Sequence, residues 1–210
     1  MSGAILDQEF YRRTPLAVAR DLIGKELVRR LLDPPRSIIG GIIVETEAYG
    51  AAGDQASHAF RGRTPRNSVM FGDPGKAYVY FTYGNHYCLN FVTGRFKHED
   101  AGAVLIRALE PTSGIRTMMN LRKTQEITNL TSGPGKLCKA LSIDLRLNGI
   151  DVTAEGSELY VRSNEQWAGK VASSTRIGIR VATEKRWRFF AELNSHVSNR
   201  KLIYRRKRIA

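Results

Sequence analysis

Hydrophobic and polar residues follow a helical period at the start of the chain. Over residues 5–24, Asp7 can cap a first turn, and Thr14-Pro15 has the form of an N-cap followed by proline at the first helical position. Gly24 stands where the C-terminus of a helix favours glycine. The apolar stripe predicted for this region is Leu16, Ala19, Leu22 and Ile23.

Alternating and β-branched patterns then predict strands. They cover residues 25–32, 38–49, both arms of a hairpin within 78–90, 101–109, 159–161, 176–181 and 187–190. Further helices are predicted to start at Thr64-Pro65 and near Thr112, and to cover residues 136–141. Short connections between strands indicate a mixed α/β (α+β) fold, with helices packed around a mainly antiparallel sheet. We therefore expect a single compact domain over residues 1–199 and a basic C-terminal tail over residues 200–210.

The hairpin carries an unusual run of tyrosines. Gly84-Asn85 lies between two aromatic and branched arms, and both residues tolerate the positive φ of a tight turn. This turn places Tyr83 at the tip of a protruding hairpin. A large ring is badly placed there for a core, and well placed to insert into something outside the protein.

The charge of the chain points to a polyanionic partner. Its 33 Lys and Arg residues oppose 20 Asp and Glu residues, which gives a formal net charge of +13 and a pI near 10.1. Such an excess favours nucleic acid first and an anionic membrane second. A basic surface with no partner is the alternative. Six of the positive charges lie within the tail, where phosphate binding is often non-specific.

Composition also restricts the compartment. Cys88 and Cys138 are the only cysteines, and they suggest buried free thiols in a reducing compartment. No hydrophobic run is long enough for a membrane span, and the N-terminus lacks the apolar core of an export signal. We expect a cytoplasmic location (bacterial cytoplasm or nucleoid) or a nuclear one, and not a secreted protein.

Two glutamates end an otherwise apolar strand. In residues 44–49, period-two geometry places Glu45, Glu47 and Tyr49 on one face. Strands disfavour glutamate, and partial burial raises the pKa of a carboxylate, which suits a general base. A strand that has reached solvent, with both carboxylates hydrated, explains the pattern equally well.

Arg107 interrupts an apolar strand and needs an acidic partner, because an unpaired buried arginine is very costly. Glu45 and Glu47 are the obvious candidates. The arginine could form a structural ion pair, line a pocket as a cation, or do both.

The long polar segment 50–76 is a candidate functional loop, since long loops in compact domains are usually functional. It contains His58, although an ordinary loop histidine is the simpler interpretation. The four histidines show no metal-ligand spacing with one another or with the cysteines. Residues 132–136 end in Lys136 but lack the spacing of a nucleotide-binding loop. Their glycine-led helix start could hold a backbone phosphate, or form a plain turn.

Taken together, these segments resemble one family, the alkyladenine (3-methyladenine) DNA glycosylases of the methylpurine-DNA glycosylase type. The resemblance covers most of the chain in the same order. Its blocks are residues 44–49, His58, and residues 63–67, 70–71, 74–75, 78–90, 105–111, 132–138 and 176–179. It implies a single α/β domain with a curved antiparallel sheet.

The resemblance implies a monofunctional enzyme of base excision repair. Such an enzyme flips out 3-methyladenine, 7-methylguanine, hypoxanthine or ethenoadenine and hydrolyses the N-glycosidic bond, which leaves an abasic site. Its partner is double-stranded DNA that contains a damaged purine. It acts as a monomer, needs no metal or other cofactor and no membrane, and uses no nucleophilic lysine.

The resemblance also assigns roles by position. Glu47 would be the general base that activates water, and Arg107 and the backbone carbonyl of Ile177 would help to hold that water. The pocket that sandwiches and hydrogen-bonds the flipped base would comprise Tyr49, His58 and Tyr80. Asn90 would crowd the 2-amino group of normal guanine.

Contact with DNA is implied for five further positions. Tyr83 would be the wedge that fills the gap left by the flipped nucleotide. The others are Asn85, Thr64, Arg66 and Lys136. A catalytically inactive basic DNA-binding protein of the same fold is the competing hypothesis, and the intact set of site residues argues against it.

Overall fold

The computed structural model describes residues 3–32, 36–51, 53–82, 84–94 and 101–199. Within these ranges, eight strands form one sheet, and every pair of neighbours is antiparallel. The strands are β1 (Glu26–Leu31), β2 (Ser37–Tyr49), β3 (Ala77–Thr82), β4 (His86–Thr93), β5 (Gly102–Ser113), β6 (Leu159–Arg162), β7 (Val171–Ser174) and β8 (Arg188–Ala191). The sheet curls into a half-barrel, and the α+β class predicted from the sequence is confirmed.

Strand β2 is the centre of this sheet. One side pairs with β5 along most of its length, while the other side pairs first with β1 and then with β8. The β2–β5 register shifts on both sides of Glu45, so the ladder is irregular where the glutamates begin. The last part of β2 therefore lies between β5 and β8, deep within the sheet.

Helices α1 (Gln8–Tyr11), α2 (Pro15–Asp21), α3 (Ile115–Arg122) and α4 (Pro134–Ala140) surround the sheet. The two predicted N-caps are confirmed: Asp7 accepts the amide of Phe10 at 3.0 Å, and Thr14 accepts that of Ala17 at 3.3 Å. Of the predicted stripe, Ala19, Leu22 and Ile23 are buried, but Leu16 is exposed and Val18 takes its place in the core. None of the described helices is long and apolar enough to cross a membrane.

Three other predictions were wrong in detail. Residues 176–181 form no strand, because Gly178 adopts a φ of 78° there, and β7 lies just before them. The short helix of the long loop is a 3₁₀ helix at Ser68–Phe71, after the turn at Pro65. Strand β5 continues through Ser113, so α3 begins only after Gly114.

The hairpin prediction is confirmed for its arms. Strands β3 and β4 pair from Ala77↔Phe91 to Thr82↔His86, and Gly84 has a φ of 72°. Tyr83, the predicted wedge, lies outside the described residues, as does the basic tail. The domain boundary at residue 199 stays a prediction.

Candidate active site

A cavity of about 500 Å³ opens on one face of the sheet. Its walls come from the end of β2, the loop that follows it, strands β3, β4 and β5, and the segment after β7. The described residues that line it include Tyr49, His58, Tyr78, Tyr80, Asn90, Arg107 and Ile177. The structure thus brings together, around one cavity, six residues for which the sequence predicted a catalytic or base-binding role.

Glu47 is fully buried directly behind this wall. Its Oε1 accepts the backbone amide of Ile177 at 2.7 Å. Its Oε2 accepts the hydroxyl of Tyr49 at 2.8 Å and Nη1 of Arg107 at 3.1 Å. The three groups that fix this carboxylate all belong to residues that line the cavity. A solvent-exposed strand end is therefore excluded for Glu47.

Glu45 has a different environment. Its Oε1 accepts Nε of Arg107 at 2.8 Å, Nε of Arg188 at 2.7 Å and the hydroxyl of Ser198 at 2.9 Å, while Oε2 accepts the amide of Ser198 at 2.6 Å. Burial alone would raise the pKa of Glu45, but the two guanidinium groups and these hydrogen bonds hold it below its ordinary value. Glu45 is thus an anionic anchor whose partners, apart from Arg107, lie outside the cavity wall.

Arg107 bridges the two glutamates, as predicted. Burial alone would lower its pKa, but the charges of Glu47 and Glu45 raise it, so the guanidinium stays charged. Because Arg107 also lines the cavity, the structural ion pair and the pocket cation are both present in one side chain.

Another part of the cavity wall is aromatic. Nδ1 of His58 lies 2.9 Å from the hydroxyl of Tyr78, and its ring meets that of Tyr80 edge to face, with centroids 4.6 Å apart. Partial burial, aided by the charge of Arg66, lowers the pKa of His58. Burial raises the pKa of Tyr78 to about 12. At neutral pH this wall is therefore uncharged, and Tyr78 keeps a proton to donate.

Asn90 lies on the returning arm of the hairpin and is almost completely buried. Its Nδ2 donates to the backbone carbonyl of Tyr78 at 3.0 Å, across the β3–β4 pair. This bond fixes the amide beside the cavity.

Of the five residues predicted to contact DNA, the structure describes four. Thr64 and Arg66 are exposed on the long loop, and Nη2 of Arg66 donates to the carbonyl of Phe81 at 3.1 Å. Asn85 is exposed in the hairpin turn. Lys136 lies in α4, where its ammonium donates to the side chain of Asn129.

Four buried polar residues around the site were not predicted from the sequence. Asp54 and Arg176 form an ion pair, and Arg188 and Ser198 hold Glu45. Arg188 did carry a signal, since a charge within a predicted aromatic strand needs a partner. Asp54 and Ser198 carried none, because they lie in polar segments where burial leaves no pattern. Among the described residues, no group of three or more His, Cys, Asp or Glu could hold a metal ion.

Comparisons with known proteins show the family of this chain. The family model for methylpurine-DNA glycosylase matches residues 9–195. A protein of Carboxydothermus hydrogenoformans, named as a candidate 3-methyladenine DNA glycosylase, is 48% identical over 197 residues, which cover 93% of this chain and 100% of the relative. A protein of Methanocella arvoryzae with the same name is 48% identical over 200 residues, covering 93% of this chain and 96% of the relative.

A third relative is slightly less similar. A protein of Bradyrhizobium diazoefficiens, also named as a candidate 3-methyladenine DNA glycosylase, is 44% identical over 187 residues, covering 89% of this chain and 87% of the relative. The family-model match, over residues 9–195, spans nearly all the described elements and every residue of the cavity wall named above. The chain belongs to the methylpurine-DNA glycosylase family, whose members are DNA glycosylases, hydrolases of N-glycosyl bonds.

Proposed function

We propose that this protein excises alkylated or deaminated purines from double-stranded DNA, with Glu47 as the general base. The observation that carries the proposal is the hydrogen-bonding of Glu47 to Tyr49, Arg107 and Ile177, all of which line the cavity. The substrates would include 3-methyladenine, 7-methylguanine, hypoxanthine and ethenoadenine. The candidate names of the relatives support the first of these.

The cavity suits an extruded base. A target base inside a duplex is unreachable, and flipping it out costs roughly a few kcal/mol. Tyr49 on one wall and His58 and Tyr80 on the other would sandwich the base, and Asn90 would crowd the 2-amino group of guanine. Tyr83, inserted from the hairpin turn, would offset part of the cost of flipping. The wedge rests on the place of Tyr83 beside the predicted Gly84-Asn85 turn as well as on the family resemblance, whereas the role of Asn90 rests on the resemblance alone.

The reaction would be a hydrolysis. As the bond from C1′ to the purine nitrogen breaks, the base leaves with the electron pair, and positive charge develops on the sugar. Water attacks C1′ and gives its proton to Glu47, whose negative charge also stabilises the transition state. Arg107 and the carbonyl of Ile177 would hold the water. A cationic lesion already carries a good leaving group, whereas a neutral one must first be protonated.

The surroundings of the cavity would hold the duplex. The net charge of +13 favours phosphate contacts, to which Thr64, Arg66, Asn85 and Lys136 would contribute. The enzyme would act as a monomer without a cofactor, through one domain over residues 1–199, with the basic tail over residues 200–210. We therefore expect the protein in a compartment that contains DNA, either the bacterial cytoplasm or nucleoid, or a nucleus.

One cleavage assay tests the proposal. Duplexes that each contain a single lesion are incubated with the protein and then treated with alkali, which breaks the strand at an abasic site. The panel holds hypoxanthine, ethenoadenine, 7-methylguanine and 3-methyladenine, with normal guanine as control. We expect breaks at lesions and none at guanine. Binding to lesion DNA with no alkali-labile break under any condition would instead favour the inactive DNA-binding protein.

A further inference from the structure

Two chain segments that line the cavity are joined by one buried ion pair. The loop after β2 brings His58 to one wall, and the segment after β7 brings Ile177 to another. Between them, Nη1 and Nη2 of Arg176 donate to Oδ2 and Oδ1 of Asp54 at 2.8 and 2.7 Å. Asp54 is fully buried and Arg176 is 5% exposed. This two-pronged geometry fixes orientation as well as distance.

Asp54 also organises its own loop. Its Oδ2 accepts the amide of Gly50 at 3.0 Å, and its backbone carbonyl accepts the amide of Ser57 at 2.9 Å. Asp54 therefore ties Gly50, directly after β2, to Ser57, the residue before His58. A change at Asp54 would be transmitted to the aromatic wall.

Arg176 supports Tyr49 from outside the cavity. Its guanidinium carbon lies 4.6 Å from the ring centroid of Tyr49 and 5.2 Å from that of Trp187, and Nη1 also donates to the carbonyl of Ala48 at 3.0 Å. Tyr49 lines the cavity and Arg176 does not. The guanidinium thus packs over one face of the Tyr49 ring without itself lining the cavity.

The same arginine is joined by one peptide bond to Ile177, whose amide holds Oε1 of Glu47. Through Tyr49, Arg176 is also tied to Oε2 of Glu47. Both oxygens of the carboxylate therefore depend on where Arg176 sits.

We propose that Arg176 and Asp54 are positioning residues, which fix the Tyr49 ring and the Glu47 carboxylate in the geometry that base excision requires. The inference rests on the proposed function. A buried ion pair is weak evidence for stability alone, since desolvation can exceed the gain from attraction. Here the pair joins three parts of one site, so its loss affects bond cleavage more than DNA binding. Displacing a catalytic group by about 1 Å can cost on the order of 100-fold in rate.

The experiment compares Arg176→Lys with Arg29→Lys. Lysine keeps the charge and loses the planar, two-pronged guanidinium. Arg29, in β1, is the matched control. It is 5% exposed, its Nη1 lies 2.6 Å from Oε2 of Glu158, and neither residue lines the cavity. Single-turnover excision of hypoxanthine is measured with saturating enzyme, together with the Kd for a duplex containing an uncleavable abasic analogue.

For Arg176→Lys we expect a rate about 10- to 100-fold lower and a Kd within about threefold of that of the wild type. Arg29→Lys should lose comparable thermal stability and keep its rate. Equal rate losses in the two variants, or a loss confined to DNA affinity, would overturn the proposal. If Arg176→Lys does not fold, the isosteric Asp54→Asn variant replaces it. We again expect a lower excision rate and a Kd within about threefold of that of the wild type.

A second measurement does not depend on activity. Hydrogen exchange of the DNA-free protein should accelerate in Arg176→Lys at the amides of Gly50, Ser57 and Ile177, and not in Arg29→Lys. Unchanged exchange at these amides would overturn the positioning role even if the rate falls. A wild-type protein that releases no base contradicts the proposed function instead, and the exchange experiment still tests the positioning role of Arg176 and Asp54.

Discussion

The phenolic oxygen of Tyr49 lies 2.8 Å from Oε2 of Glu47, two residues earlier on the same strand face. Burial, together with the charge of Glu47, raises the pKa of Tyr49 well above its ordinary value. The hydroxyl therefore stays protonated and donates to the carboxylate at neutral pH. This bond couples the residue proposed to stack on the flipped base to the residue proposed to activate water.

Replacing Tyr49 with Phe should separate these two roles. Tyr49→Phe keeps the ring and removes a hydrogen bond to a charged acceptor, a contact worth about 1.5–3 kcal/mol. We expect lesion-DNA affinity to hold and the single-turnover excision rate to fall about tenfold or more. The control is Tyr87→Phe, whose ring packs on Phe81 away from the cavity. A rate equal to that of the wild type would show that the bond does not position Glu47.

Glu45 should matter more for stability than any exposed carboxylate. Glu45→Gln leaves Arg107 and Arg188 buried with less compensating charge, and breaking a buried pair typically costs about 3–5 kcal/mol. Chemical denaturation should report a loss of this order in the free energy of unfolding. Glu165→Gln, at an exposed position, serves as the control and should change stability little.

The same residue should contribute to acid sensitivity. Because folding lowers the pKa of Glu45, its contribution to stability is fully present above the ordinary glutamate pKa, about 4.3, and is lost as pH falls through the folded value. The free energy of unfolding of the wild type should therefore decline more steeply below about pH 4.3 than that of Glu45→Gln. If the free energy of unfolding falls equally steeply with pH in the two proteins, the assignment is contradicted.

His58 should titrate below an ordinary histidine. Partial burial lowers its pKa, and the charge of Arg66 lowers it further. In an NMR titration we expect a His58 pKa below about 6.5 in the wild type. Arg66→Gln should raise it only partly, because burial is the larger cause. A value that does not move in this variant would place Arg66 too far from the ring in solution.

The wedge assigned to Tyr83 makes a prediction about base pairing. A ring that fills the gap in the duplex matters most where the lesion must be pulled from a stable pair. Tyr83→Ala should therefore slow excision of well-paired lesions more than of mispaired ones. An equal loss on both substrates in the cleavage assay would remove the wedge role.

The sequence predicted the parts of the fold that have a strong local signal. The hairpin arms and β2 follow period two with aromatic and branched residues. The two N-caps are side chains that directly precede the helices they begin. Strand β7 was missed because its sequence, Val-Ala-Ser-Ser, has weak strand propensity, and its pairing with β8 decides its structure. Leu16 followed the helical period, but the packing of α2 left it exposed.

For the site, strand parity placed Glu45, Glu47 and Tyr49 on one face but could not rank the two glutamates. The two glutamates differ in their partners: Arg188 and Ser198 contact Glu45, and Ile177 contacts Glu47. All three partners are more than 100 residues away in sequence. The pairing of Asp54 with Arg176 is equally non-local. Such contacts are set by tertiary packing, and no pattern within a short window of sequence reports them.

The most direct test is the release of base by Glu47→Gln. This change is nearly isosteric and removes the group proposed to accept the proton of water. In single-turnover assays on a duplex with one hypoxanthine, we predict that Glu47→Gln binds the lesion DNA as the wild type does and releases no base. Base release at the wild-type rate would contradict the role of Glu47 and make Glu45 the next candidate.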